Sequence, residues 1–334
     1  MAKKKGKKGK KGKGKPEKVA IVTTPMMAAE RARIAETGEP LGHHYAVSRR
    51  GSELRAEVAK ARLIKAVEKQ QAHLDLRGLD LDTVPAALTV ATSFDEEGNA
   101  LPPSNNAMER FATTWQGLTI LDLSHNGLFK AQDTFDGLAA LGGRLQELSL
   151  RANSLATNVP ASAAKLTGLR KLDLSDNQLT FFSEEAAEGW AQIKSLSAAR
   201  NAFVVLPDSA KAWACLEHLD LRGNKLALLG PETTFGAWPV LRVANLGKNQ
   251  VAKLPPTVGK CPRLTELVVT DNKIASLPVE LAQCQQLRVL HAGVNAIKEV
   301  PPELFATEGG LGGTLQVVSE RHGLLPSCTC CAHL

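Results

Sequence analysis

Residues Leu169–Leu179 read LRKLDLSDNQL, and the same spacing of apolar residues and Asn returns through the middle of the chain. LTILDLSHNGL begins at Leu118, LQELSLRANSL at Leu145, IKSLSAARNAF at Ile193 and LEHLDLRGNKL at Leu216. LRVANLGKNQV, LTELVVTDNKI and LRVLHAGVNAI follow from Leu241, Leu264 and Leu287. The Asn residues are Asn126, Asn153, Asn177, Asn201, Asn224, Asn249, Asn272 and Asn295, spaced by 27, 24, 24, 23, 25, 23 and 23. Such regularity marks a repeat architecture: one unit cannot bury its apolar face alone, and stacked units share a continuous core. In each unit the L-x-L step predicts a short strand with alternate side chains inward. The Asn amide donates and accepts, which suits it to backbone groups stranded where the chain turns out of the strand.

This pattern resembles the leucine-rich repeat family. Several units close on an apolar-Pro step (Leu206-Pro207, Leu254-Pro255, Leu277-Pro278, Val300-Pro301). That makes the array similar to the intracellular class of such repeats, whose members are mostly interaction scaffolds. The resemblance implies an α/β solenoid, a horseshoe of about ten repeats with a parallel β-sheet on its concave face and an N-terminal helical cap.

The array is expected over residues 73–326. HLDLRGLDLDTVP (His73–Pro85) opens it with Leu79 in the Asn slot, and LQVVSERHGLLP (Leu315–Pro326) closes it with Gly323 there. The interval from Leu79 to Asn126 is twice the period, and FDEEGNALPPSNN (Phe94–Asn106) favours a loop insertion near 92–107 over a degenerate repeat. Upstream, SELRAEVAKARLIKAVEKQQ (Ser52–Gln71) lacks Gly and Pro and predicts a capping helix over 52–72, with Leu54, Val58, Ala61 and Ile64 on one face. Residues 19–51 are then a linker, and 327–334 a Cys-rich tail.

The formal charge is +7, but residues 1–18 hold ten Lys and one Glu and carry +9 alone. The remainder is slightly acidic, which excludes a uniformly basic nucleic-acid-binding domain. The head offers Lys3, Lys4, Lys5, Lys7, Lys8, Lys10, Lys11, Lys13 and Lys15 with no aromatic side chain to stack on a base. It reads as a disordered polycation for an acidic polymer such as tubulin tails or, as the alternative, RNA. Lys/Gly heads of this kind are similar to those on several ciliary axonemal proteins, a setting that also uses leucine-rich repeat subunits. No apolar run has membrane-spanning length, and the absence of N-x-[ST] acceptors and of any Cys before Cys215 points to an intracellular, reducing location; the head makes a cytoplasmic, cytoskeletal one the favoured setting.

Catalytic signatures are missing: there is no Walker A loop, no H-E-x-x-H and no G-x-S-x-G, and no motif calls for a cofactor. The expectation is a non-enzymatic subunit of a larger complex. Trp115, Trp190, Trp213 and Trp238 each precede a repeat by three residues, a register shared with Leu166, Cys261 and Cys284, so the slot reads as packing. A partner-binding surface is expected instead on the concave face. The residue between the two strand Leu runs Asp75, Asp122, Ser149, Asp173, Ser197, Asp220, Asn245, Val268, His291. Two positions on lie Arg77, Arg151, Arg222 and Thr270, and nearby His125, Lys248, Val289 and Val294 complete the candidate set. Arg beside Asp suggests self-paired ladders in the first half. The second half, with small Gly247 and Gly293, is expected to be flatter, more apolar and the preferred contact patch.

Two switches remain. Arg49-Arg50-Gly51-Ser52 places Ser52 in a basophilic-kinase context at the expected helix N-cap, where a phosphate meets the positive end of the helix dipole. The C-terminal Cys328, Cys330, Cys331 and His333 read first as a frayed end; the alternatives are lipidation, which would make the chain a membrane-recruited regulator, and metal binding at unusually crowded spacing. A nuclear or ribosome-associated adaptor is the remaining alternative.

Overall fold

The computed structural model describes residues 49–85, 117–230, 234–305 and 316–318, all within one unit, Pro40–Leu334. In chain order the elements are helix α1 (Arg49–Glu68), strands β1 (His73–Asp75) and β2 (Ile120–Asp122), helix α2 (Ala131–Leu138), and strands β3 (Glu147–Ser149), β4 (Ala156–Val159), β5 (Lys171–Asp173) and β6 (Gln178–Phe182). Helix α3 (Glu184–Gly189) follows, then β7 (Ser195–Ser197), β8 (His218–Asp220), β9 (Val243–Asn245), β10 (Glu266–Val268), β11 (Val289–His291) and β12 (Gln316–Val318).

Ten of these strands form one parallel sheet in the order β1-β2-β3-β5-β7-β8-β9-β10-β11-β12, while β4 and β6 pair separately. The register is uniform: the central Leu of one strand faces its counterpart in the next, as in Leu121↔Leu148 and Leu148↔Leu172. The pattern that set the repeat in the sequence therefore sets the sheet. Strand β1 pairs directly with β2, His73 opposite Ile120, so no repeat strand stands between them. Residues 86–116, including the expected insertion at 92–107, lie outside the described residues, as do 1–48 and 319–334.

The Asn slot is a hydrogen-bonded hub. Asn177 donates from Nδ2 to Leu174 O (2.9 Å) in its own repeat and to Leu150 O (3.0 Å) in the preceding one. Its Oδ1 accepts from Leu155 N–H at 3.0 Å. Asn153, Asn224 and Asn249 repeat the arrangement, and all are buried. The residue before each Asn adopts the left-handed conformation. That position holds His125, Ala152, Asp176, Arg200, Lys248, Asp271 and Val294 as well as Gly223. Gly takes it without strain and Asn and Asp tolerate it, whereas a β-branched Val there at φ +53° is unusual.

The opposite side carries short helical turns, and the Trp/Cys slot lies beneath them. Trp190, Trp213, Trp238, Cys261 and Cys284 are fully buried. Each also reaches back one repeat to a carbonyl. Trp190 Nε1 donates to Ala163 O (3.0 Å), Trp213 to Ala187 O (2.9 Å), Trp238 to Ala210 O (2.9 Å), and the two thiols to Phe235 O and Val258 O (3.2 Å each). Trp and Cys share a hydrophobic body with a donor, which explains why they interchange there, while Leu166 fills the slot by packing alone. Burial pushes the Cys261 thiol up to about 12 and Cys284 to about 11, so both are inert. Trp115 lies outside the described residues.

The N-terminal helix departs from expectation in three ways. It spans Arg49–Glu68 rather than 52–72. Its end is set without Gly: Gln70 takes φ +48°, and Gln71 N–H reaches back to Ala66 O (2.9 Å), closing the helix a turn early. Its start at Arg49 puts Ser52 within the helix instead of at the N-cap, and places 49–51 in the helix rather than the linker. Its inward residues are Val58, Ala59, Leu63 and Ala66, whereas Ala61 is exposed. A three-residue spacing from Val58 drifts off the buried face, because 3.6 residues complete a turn. Arg62 donates to Asp75 O (3.0 Å) and Arg55 pairs with Asp80, tying the helix to the first strand unit.

Candidate functional site: a concave hollow in the C-terminal half of the array

Asp75, Asp122, Asp173, Asp220, Asn245, Val268 and His291 end strands β1, β2, β5, β8, β9, β10 and β11 and form one row on the sheet. The acidic members are engaged by the backbone as well as by Arg. Oδ1 of Asp75 accepts from Arg77 N–H (3.0 Å), and that of Asp122 accepts from Ser124 N–H (2.9 Å). Asp173 accepts from Ser175 N–H (2.9 Å), Asp220 from Arg222 N–H (3.0 Å) and Asn245 from Gly247 N–H (3.1 Å). Asp and Asn bond the backbone two residues on wherever the chain turns, and the D-x-[SR] recurrence after each L-x-L carried that signal.

Cations in the N-terminal half are consumed as well. Arg77 bonds Asp75 (Nη2–Oδ2 2.8 Å) and lies 3.4 Å from Asp122. Arg151 and Arg200 converge on Asp176, with Arg151 Nε at 3.2 Å and Arg200 as a two-pronged clamp. Burial raises the Asp75 carboxyl, but the hydrogen bonds and charge of Arg77, aided by Arg62, outweigh it and hold the group below the usual carboxylate range. The Arg200 hydrogen bond, with the Arg200 and Arg151 charges, likewise depresses Asp176.

The C-terminal half is neither flat nor wholly apolar. A hollow of about 330 Å³ is lined by Arg222, Asn245, Gly247, Lys248, Val268, Thr270 and His291. It exists because two short side chains, at Gly247 and Thr270, lie between longer ones. Gly247 has no room to spare: a Cβ there would sit 3.3 Å from both Asn245 Oδ1 and Thr270 O. Arg222 and Lys248 are exposed, and among the described residues neither has an ion pair. No carboxylate lines the hollow, the nearest acids in sequence being Asp220, Glu266 and Asp271. Chemically it offers two uncompensated cations, an imidazole, a hydroxyl and an amide around one apolar side chain.

Of the expected contact residues, the hollow gathers Arg222, Asn245, Lys248, Val268, Thr270 and His291. Asp75, Arg77, Asp122, His125, Asp173 and Asp220 stay outside it, as do Val289, half-buried in β11, and Val294, which is 49% exposed. The lysines of the head and the C-terminal cysteines lie outside the described residues, and so does the side chain of Ser52. Among the described residues no cluster of His, Cys, Asp or Glu is placed to hold a metal, and no helix is long and apolar enough to cross a membrane.

Comparison with known proteins agrees with this geometry. A family model described as leucine rich repeat matches residues 143–203. Over that segment the chain matches the leucine-rich repeat family, and the same spacing recurs through the units on either side. Podocan-like protein 1 of Mus musculus is 35% identical over 134 residues, 36% of this chain and 23% of that protein. The chain thus spans under a quarter of that relative's length. Among solved structures, a leucine-rich repeat protein of Leptospira interrogans superposes with a TM-score of 0.61 at 23% identity, covering 77% of this chain and 57% of the other. The plant peptide hormone receptor RGFR1, solved in complex with RGF2, gives 0.52 at 23% identity over 62% of this chain and 32% of its own. These likenesses establish the fold, the solenoid with its parallel sheet. Proteins of this family commonly act in protein–protein interaction and are generally non-enzymatic scaffolds.

Proposed function

We propose that this chain is a non-enzymatic scaffold whose concave face docks a protein partner through its C-terminal half, and whose Lys-rich head adds electrostatic attachment to an acidic polymer such as tubulin tails. The observation that carries the first part is the division of the sheet. Arg77, Arg151 and Arg200 satisfy neighbouring carboxylates, whereas Arg222 and Lys248 border an open hollow with no ion pair among the described residues. Self-paired surface has little to gain from a ligand, while unpaired charge beside apolar Val268 and a recess does. The solved peptide complex of RGFR1 shows a solenoid of this fold in a receptor role, which supports the reading by analogy. The second part rests on composition: nine lysines in the first 15 residues with no aromatic or apolar residue beyond Met1 and Ala2. A cytoskeletal, axonemal setting fits both elements.

Co-sedimentation of the full chain with microtubules and, separately, with RNA tests the attachment. A second full-length form with the nine head lysines changed to Gln completes the comparison. Loss of microtubule binding in the Gln form, with RNA binding weak in both, supports the reading; unchanged sedimentation refutes it. For the concave face, Val268→Arg placed in the hollow should abolish a cross-linked partner recovered with the wild-type chain, while Phe129→Arg on the exposed flank should not.

A further inference from the structure

The chemistry of the hollow narrows what it accepts. We infer that it binds carboxylate side chains of an acidic peptide segment, held between Arg222 and Lys248, with the aliphatic part of the segment against Val268. This deepens the concave-face reading above and rests on it.

Three observations support the assignment. First, the lining carries two cations and no acid, whereas every Arg described above on the N-terminal half already holds an Asp. Charge complementarity therefore selects an anion at this place on the sheet and not elsewhere. Second, the polar groups suit carboxylates: a guanidinium fork at Arg222, an ammonium at Lys248 and the imidazole of His291, while the Thr270 hydroxyl already donates to His291 O (3.3 Å). Third, the sheet discriminates against a nucleic-acid backbone. A phosphate chain following the strand-end row out of the hollow would meet Asp220, Asp173, Asp122 and Asp75. The lining also offers no Phe, Tyr or Trp to stack a base. A short acidic peptide can enter the hollow without running down that row.

The head cannot occupy the hollow, since both are cationic. Both instead favour the same class of partner, a glutamate- or aspartate-rich polymer. One such polymer engaging the head and the hollow together gains avidity from the link between them.

The test uses the full chain with the nine head lysines changed to Gln, so that only the array contributes. Fluorescein-labelled hexaglutamate, hexaglutamine and a uridine hexanucleotide are titrated by anisotropy at low and at physiological salt. Hexaglutamate should bind, more weakly as salt rises, and hexaglutamine should not. Arg222→Gln and Lys248→Asn should each weaken hexaglutamate binding roughly three- to fivefold, as expected for a solvent-accessible ion pair. Asn tolerates the left-handed backbone at position 248, so that variant keeps its fold. Arg151→Gln, outside the hollow, should change binding by less than about twofold, which a general loss of positive charge would not predict. Hexaglutamate binding that ignores Arg222 and Lys248 overturns the inference, and so does uridine hexamer binding of equal strength through the same residues. Failure of the concave-face reading has a different signature: partner cross-linking insensitive to Val268→Arg while hexaglutamate still binds.

Discussion

Asn177 offers the sharpest test of the hydrogen-bond ladder that holds one repeat to the next. Its amide donates to Leu174 O and Leu150 O and accepts from Leu155 N–H, at 8% exposure. The two carbonyls are each shared with a second Asn: Leu174 O also accepts from Asn201 (2.9 Å), and Leu150 O from Asn153 (2.9 Å). Asn177→Ala therefore leaves those carbonyls one partner each but strands the buried Leu155 N–H with none. A lost bond costs about 1 kcal/mol and an orphaned buried group about 1–3, so the substitution should destabilise the array by about 3–5 kcal/mol. Asn177→Asp is more diagnostic. The carboxylate still accepts from Leu155 N–H, yet it sets negative charge against two carbonyl oxygens. That raises its folded-state pKa above the unfolded value of about 4, so its penalty should be largest at pH 7 and should shrink as pH falls and the group protonates. Urea unfolding followed by circular dichroism at pH 7 and pH 5 reads both variants. Asn158→Ala, on the exposed β4, serves as the control and should cost less than about 0.5 kcal/mol. An Ala penalty under 1 kcal/mol, or an Asp variant indifferent to pH, would show that the ladder is not what holds the repeats in register.

Other expectations are quicker to check. Gly189→Ala should destabilise by about 1–3 kcal/mol in the same melts, because the new Cβ would fall 2.5 Å from Ala164 O and 2.6 Å from its Cα, backbone atoms of the preceding repeat. Thiol labelling with iodoacetamide at pH 8, read by peptide mass spectrometry, should modify half-exposed Cys215 in the native chain and spare Cys261 and Cys284 until denaturant is added. Stability should fall in acid. Asp176 is depressed by the Arg200 hydrogen bond, and Glu184 by bonds from the Ser209 hydroxyl and the Ser209 and Asp208 N–H groups. Groups lowered in this way contribute fully above their unfolded values and lose that contribution as pH drops through the folded ones, so the urea midpoint should decline below about pH 4.

The solenoid was legible in the sequence because its determinants are local and repeated. Each L-x-L placed a strand, each Asn placed a turn, and the shared offset of Trp190, Trp213, Trp238, Cys261 and Cys284 placed a buried slot. What the slot does beyond packing was not legible, since the accepting carbonyl belongs to a turn of the preceding repeat and no side chain marks it. Helix α1 was legible as a helix, but its end was not. The usual Gly signal is absent there, and Gln70 takes the left-handed conformation that closes it. The candidate site shows the same division. Single-position reading assembled most of the lining residues and anticipated Arg–Asp pairing in the first half, but not which atoms hold Asp75, Asp122 and Asp173. Their i+2 backbone bonds and their Arg neighbours are properties of three-dimensional turns and of cross-repeat contacts.

The charge pattern of the sheet follows from the repeat itself. In five units Asp or Asn at the strand end accepts from the N–H two residues on, whereas Ser149 and Ser197 end β3 and β7. Using Asp adds a negative charge that the surface must balance; Arg77 supplies it for Asp75 and Asp122, while Arg151 and Arg200 balance the turn residue Asp176. From β9 onward the row changes to Asn245, Val268 and His291, removing the acid while Arg222 and Lys248 remain. Positive charge is therefore left uncompensated where the strand ends cease to carry negative charge, and at the same place Gly247 and Thr270 open the recess. Loss of strand-end acid over three neighbouring repeats thus leaves a shaped, cationic hollow beside a half of the sheet where Arg77, Arg151 and Arg200 are paired. Restoring the acid should erase it. Asn245→Asp keeps the bond to Gly247 N–H and supplies Arg222 and Lys248 with the missing carboxylate. That single change should leave stability within about 0.5 kcal/mol and remove hexaglutamate binding; retained binding would place the anion site elsewhere.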